Sequence, residues 1–211
     1  MMRVTEIFRS IQGEGTRAGR PCAFVRFTGC DLRCTWCDTA YAFQGGQERS
    51  RQSIVAELNA MAGRHVCLTG GEPLLQPELP ELCRDLLAAG WEVTVETHGQ
   101  RDTEALPPAV VRIFDVKPPG SGEETRDFGY LDRLRPHDEV KFVVSSHGDF
   151  GWSVEVARRH RLPGRVAVLF SPVVPAVQPR ELAEWLLAAG IEARLSLQLH
   201  KLIWGADARG V

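Results

Sequence analysis

Short apolar runs alternate with amphipathic ones along almost the whole chain. Runs over 23–28, 65–69, 92–97, 110–116, 140–144, 166–171 and 193–199 are rich in Val, Ile, Phe and Thr. Gly, Pro, Ser or Asp bounds many of them, which predicts strands. Helical spacing of apolar positions covers 53–61, 78–89, 152–160 and 180–189, with Gly90 and Gly190 where helix stops are expected. Segments 86–97 (LLAAGWEVTVET) and 186–197 (LLAAGIEARLSL) repeat the order helix end, glycine, strand, and two copies do not make a solenoid. Strands that alternate with helices predict a parallel sheet. About six strands are too few to close an eight-fold barrel. The expected fold is therefore α/β, an open partial (β/α) barrel of about six mainly parallel strands. No low-complexity linker divides the chain, so one domain over 1–211 is expected. Loops at 118–122 (PPGSG) and 171–179 (SPVVPAVQP) are expected at strand ends, where ligands usually bind.

Composition narrows the partners more than the fold. The chain has 211 residues, 44% hydrophobic and 25% charged, with a formal net charge of −2. Such a balance gives no basic field, so neither nucleic acid nor an anionic membrane surface is an expected partner. The start has no apolar run long enough for a signal peptide, and no stretch approaches the ~20 apolar residues of a membrane span. A cytoplasmic location is expected, where thiols stay reduced. That bears directly on six cysteines. Cys22, Cys67 and Cys83 stand singly in apolar surroundings and read as small buried hydrophobes.

Cys30, Cys34 and Cys37 crowd into one loop, GCDLRCTWCDT over 29–39, directly after an apolar strand. Three thiolates this close can ligate one metal centre. A structural zinc wants a fourth protein ligand. None lies in the loop, although a distant Cys67 or His98 stays open. A cubane iron–sulfur cluster has four irons, and three cysteines leave one of them free to bind a reactant.

The CxxxCxxC spacing, with Trp36 before the last cysteine, resembles the signature of the radical S-adenosylmethionine superfamily. The resemblance implies a [4Fe–4S] cluster and S-adenosylmethionine (SAM), whose methionine amine and carboxylate chelate the open iron. One electron then breaks the C–S bond to give a 5′-deoxyadenosyl radical. TGGEP at 69–73 reads by itself as a turn before a proline-started helix, its glycines permitting close backbone approach. Beside the cysteine loop it resembles the superfamily's GGEP segment, with backbone carbonyls and the Glu72 carboxylate accepting from the cofactor amine. ETHG (96–99) and DVK (115–117) end two predicted strands. Lys117 is the favoured cofactor contact there, while Glu96 and His98 suit a structural role equally well.

SIQGEG (10–15), FVRFTGCDLRCTWCDT (24–39), LTGGEP (68–73) and LHKLIWGADARGV (199–211) together resemble the 7-carboxy-7-deazaguanine synthase family. That family contracts the ring of 6-carboxy-5,6,7,8-tetrahydropterin to 7-carboxy-7-deazaguanine with loss of ammonia, on the 7-deazapurine route to queuosine. The resemblance implies pterin contacts at Ile11, Gln12, Gly13, Arg26 and Thr69, with the terminal Val211 closing over substrate. It implies cofactor contacts at Gly71, Asp115, Val116 and Lys117, and a magnesium ligand at Thr39. Chemistry agrees: adjacent pterin N–H donors suit Glu14 and the Gln12 amide, and a substrate carboxylate suits the forked Arg26. Magnesium keeps several waters, so one protein hydroxyl can suffice. A reductant such as flavodoxin or ferredoxin and a homodimer are further implications. The chain departs from family members that carry a longer insert between the first two cysteines. A glycyl-radical activase shares the cysteine loop and GGEP, but SIQGEG and CDT favour the synthase. A zinc-stabilised binding module is the alternative outside enzymes.

Overall fold

The computed structural model describes residues 1–206 and 208–211. Strand β1 (Met2–Ile11) pairs antiparallel with β2 (Pro21–Phe27), and a short β3 (Gln47–Arg49) pairs antiparallel with the other edge of β1. From β2 the sheet continues in parallel through β4 (His65–Gly70), β5 (Glu92–Thr97), β6 (Val111–Val116), β7 (Glu139–Val144) and β8 (Ala167–Pro172). It ends at a two-residue β9 (Arg194–Leu195), giving the order β3-β1-β2-β4-β5-β6-β7-β8-β9. β9 is also parallel to β8; the six longer parallel strands, β2 and β4 to β8, are among those expected, and their C-terminal ends share one rim. No helix among the described residues is long and apolar enough to cross a membrane.

Helices α1 (Arg51–Asn59) and α2 (Leu79–Ala88) precede β4 and β5; α3 (His147–Arg159) and α4 (Pro179–Ala189) precede β8 and β9. Their ends follow local chemistry. The Ser50 and Ser146 hydroxyls accept from the backbone N–H groups of Ser53 and Asp149, capping α1 and α3. Gln178 and Glu181 form a capping box on α4, whose first residue is a proline. Gly190 stops that helix at φ +58°. Helix leucines Leu58, Leu82 and Leu86 pack on Val66, Val93 and Val95, while Phe150, Val154 and Leu182 pack with Phe114, Phe142 and Phe170. Each such fully buried side chain contributes roughly 1.5–3 kcal/mol.

Four differences from the sequence reading have physical causes. β1 was not expected, because a bulge between Val4 and Glu6 breaks the alternation that marks a strand. β3 is only three residues long and exposed along most of its length. α3 starts at His147, since Ser146 caps it, rather than at 152. The run 193–199 shrinks to β9, and Leu199 opens a six-residue α5 (Leu199–Trp204), which buries no residue fully and so shows no amphipathic signal.

Candidate active site

The shared rim opens onto a cavity of about 770 Å³, walled by strand ends, the cysteine loop and the C-terminal segment. The cysteine loop has no regular secondary structure, so its shape is set from outside. Gly29 N donates to Ala42 O at 2.8 Å, Thr35 N to Ser121 O at 2.9 Å, and Arg33 N to Glu123 Oε1 at 2.7 Å. The PPGSG turn therefore braces the loop. On the other side, the Asp31 carboxylate faces His98 Nε2 at 2.9 Å and accepts from Arg101 at 2.7 and 3.0 Å.

Two glycines let β4 meet this loop. A Cβ at Gly70 would lie 2.3 Å from Phe27 O; one at Gly71 would lie 1.9 Å from Gly29 O and 2.9 Å from Cys30 Cβ. The backbone crosses where no side chain fits. Glu72 N then donates to Gly29 O at 2.8 Å. The Glu72 side chain turns beneath the cavity and is fully buried. Its carboxylate accepts from Leu74 N, Thr97 Oγ1 and His98 N at 2.9–3.0 Å. It is thus satisfied by protein donors and does not line the cavity. Val116 also lies in the core rather than on the wall. All other candidate site residues named from the sequence line the cavity.

Cys30, Cys34 and Cys37 are free thiols, half-buried at the cavity wall. Burial pushes Cys30 and Cys34 above the ordinary thiol value, while the nearby Lys117 ammonium favours the Cys34 thiolate. Cys22, Cys67 and Cys83 are buried in the core as expected, and burial drives Cys22 and Cys83 up to about 12. Among the described residues, no three His, Cys, Asp or Glu side chains converge on a point one ion could occupy. Three separate thiols around a shared opening, beside a backbone crossing that leaves no bulk in the way, fit a polynuclear centre with one thiolate per iron.

The floor carries charge. Lys141 Nζ lies 2.9 Å from Glu14 Oε2 and 3.5 Å from Asp115 Oδ2, and Lys117 Nζ lies 3.0 Å from that same Asp115 oxygen. Burial disfavours each charge, but the mutual attraction outweighs it: Asp115 sits below the usual carboxylate value and both lysines above theirs. Glu96 accepts from Thr69 Oγ1 at 2.8 Å, and burial pushes its carboxyl up. Among the described residues, two polar atoms here are buried with no partner, Gln12 Nε2 and Asp115 Oδ1. Arg26 donates through Nε to Glu6 at 2.7 Å, and among the described residues its two terminal nitrogens have no hydrogen-bond partner.

The C-terminal segment closes one side. Leu199 N donates to Gly13 O at 3.0 Å, Gln198 Nε2 to Glu14 Oε1 at 2.8 Å, and Lys201 Nζ to Asp38 Oδ2 at 2.6 Å. Sequence reading missed Glu6, Lys141, Gln198 and Lys201. Lys141 was the findable one, a lysine inside an apolar strand pattern (EVKFVV).

A parallel half-barrel whose rim holds three free thiols on one loop, abutting a double glycine, defines the class. The radical SAM superfamily profile matches residues 24–186, and the chain belongs to that superfamily. A protein named 7-carboxy-7-deazaguanine synthase from Koribacter versatilis is 44% identical, covering 100% of both chains. One of the same name from Chlorobaculum tepidum is 39% identical over 100% of this chain and 97% of its own. The crystal structure of QueE from Escherichia coli superposes with a TM-score of 0.76 at 25% identity, covering 94% of each chain. Within the superfamily, the chain belongs to the 7-carboxy-7-deazaguanine synthase family.

Proposed function

We propose that this chain, acting as one domain over 1–211, converts 6-carboxy-5,6,7,8-tetrahydropterin to 7-carboxy-7-deazaguanine with loss of ammonia, in 7-deazapurine and queuosine formation. The observation that carries the reading is that the SIQGEG loop and the cysteine loop, the two most specific family segments, line one cavity. When bound, a [4Fe–4S] cluster on Cys30, Cys34 and Cys37 with SAM supplies a carbon radical able to remove a hydrogen atom from substrate.

The residues divide the remaining work. Arg26 offers its two terminal nitrogens, without a hydrogen-bond partner among the described residues, to the substrate carboxylate as a planar fork. Glu14 and Gln12 Nε2, which has no partner among the described residues, face the pterin edge, whose N–H groups and carbonyl need an acceptor and a donor. Thr69 sits between this wall and Glu96. Gly71 lets the cofactor approach the backbone, and Asp115 and Lys117 present opposite charges to its polar groups. Phe8 and Phe24, stacked with centroids 5.0 Å apart, wall off water on one side. Thr39 is the magnesium ligand in this reading; its hydroxyl donates to Asp38 Oδ1 at 2.9 Å, so a second oxygen lies beside it.

The chain works in the cytoplasm with a small-molecule substrate and draws its electron from a flavodoxin or ferredoxin. A homodimer is supported by exposed Leu195, Leu202, Ile203 and Trp204, which put apolar surface at the β9–α5 edge. The deciding experiment is anaerobic incubation of reconstituted enzyme with the carboxy-tetrahydropterin, SAM, reductant and magnesium, followed by mass spectrometry. Formation of the deazaguanine acid is expected. Its absence, with a full cluster and SAM cleavage, overturns the substrate assignment.

A further inference from the structure

The groups given above to substrate and to cofactor stand on different elements, Glu14 after β1 and Asp115 with Lys117 at the end of β6. Lys141, in the middle of β7, touches both. Its Nζ is 2.9 Å from Glu14 and 3.5 Å from Asp115, which is in turn 3.0 Å from Lys117. The residue is 8% exposed. We propose that Lys141 is a positioning residue that couples pterin binding to SAM binding through the unbroken run Glu14–Lys141–Asp115–Lys117. This rests on the functional reading above.

The physical argument is one of shared charge. An ammonium on a flexible stem has three donors and here two carboxylates to serve. In a buried site each of those contacts is stronger than in water. When a pterin N–H donates to Glu14, part of that carboxylate's acceptor capacity is taken up and its hold on Nζ weakens. Nζ then shifts toward Asp115, closing the longer contact. Asp115 in turn holds Lys117 less, and Lys117 is released toward an anionic group of the cofactor. Asp115 has room to respond, since its Oδ1 has no partner among the described residues. Linkage makes the effect reciprocal, so SAM tightens pterin binding by the same factor. A lysine that only balanced charge would weaken each ligand separately and leave their interdependence unchanged.

The test uses full-length, cluster-reconstituted enzyme without reductant, so nothing turns over. SAM is titrated calorimetrically with and without saturating carboxy-tetrahydropterin. In the wild type the pterin is expected to tighten SAM binding about fivefold or more, the lower end of ordinary coupling between sites. Lys141→Met is expected to bring that ratio close to one, and Lys141→Arg to keep a larger share of it. A wild-type ratio of one, or an undiminished ratio in Lys141→Met, overturns the inference. If iron analysis shows that Lys141→Met loses its cluster, Asp115→Asn decides instead: it breaks the same run, and an undiminished ratio there is equally fatal. A pterin titration of the wild type alone separates the two levels. No binding sinks the functional reading and the coupling with it, whereas binding with a ratio of one sinks only the coupling.

Discussion

Glu6 Oε1 accepts the Nε–H of Arg26 at 2.7 Å and the Tyr41 hydroxyl at 2.8 Å. The guanidinium carbon also lies 5.9 and 5.8 Å from the Phe8 and Tyr41 ring centres. The fork is therefore aimed before any ligand arrives. Arg26→Lys keeps the charge and loses the fork, so kcat/KM is expected to fall about ten- to hundredfold per charge-assisted hydrogen bond lost, at roughly 1.5–3 kcal/mol each. Glu6→Gln should act more mildly and mainly on KM. Unchanged steady-state kinetics in Arg26→Lys would place the substrate carboxylate elsewhere.

Replacing Cys30, Cys34 or Cys37 by Ala is expected to remove the iron–sulfur absorbance and all turnover. Cys83→Ala should preserve both, because Cys83 is buried on α2 among leucines, away from the cavity. Iron and sulfide analysis of anaerobically purified variants checks this. A Cys34→Ala protein with a full cluster contradicts the ligand set.

Glu72 holds the turn after β4 against the end of β5. Glu72→Gln leaves one acceptor oxygen for donors that now share two, a loss of roughly 1–3 kcal/mol. At about 2–4 °C per kcal/mol for a chain of this size, Tm should drop visibly, while SAM affinity of the folded protein changes little. The reverse pattern, a lost SAM affinity at constant Tm, would show that the carboxylate touches the cofactor.

Thr39→Ala is expected to raise both the magnesium requirement and the apparent KM for pterin while sparing cluster content. Thr39→Ser keeps the oxygen and should be mild. Magnesium titrations of turnover in the three proteins decide: identical half-saturation points remove Thr39 from the metal site.

His65 opens β4 at the base of the barrel, 3% exposed and with Nδ1 unpartnered among the described residues, and burial pulls its imidazole down to about 4. Between that value and about 6.5 the unfolded chain binds the proton more readily than the folded one. His65 thus lends stability that is present above pH 6.5 and lost as pH falls toward 4. Thermal melts of the wild type and His65→Gln at pH 7 and pH 5 check this. The wild type should lose more Tm on acidification; equal losses would mean His65 does not carry the slope.

The six longer parallel strands were legible because both their faces are covered, which writes near-continuous apolar runs into the sequence. Most of the cavity wall was legible too, since motif residues cluster at strand ends. What stayed hidden depends on distance along the chain. Gln198 and Lys201 matter because they meet Glu14 and Asp38, partners 184 and 163 positions away. Glu72 shows the opposite failure. Its motif neighbours reach the cavity, but the backbone crossing at Gly71 turns the next side chain under the floor, and a motif string carries no such direction.

That crossing also sets where the chain can change length. Gly71 meets Gly29 and Cys30 with no space for a methyl group, so the junction tolerates neither an added residue nor a shifted one. The arc just beyond is different: Asp31, Arg33 and Thr35 are exposed. Extra residues between Cys30 and Cys34 would bulge outward into solvent and leave the hinge where it is. A longer loop at this point could therefore keep the same thiol anchor, and insertion and deletion there become a way to reshape the outer face without rebuilding the centre.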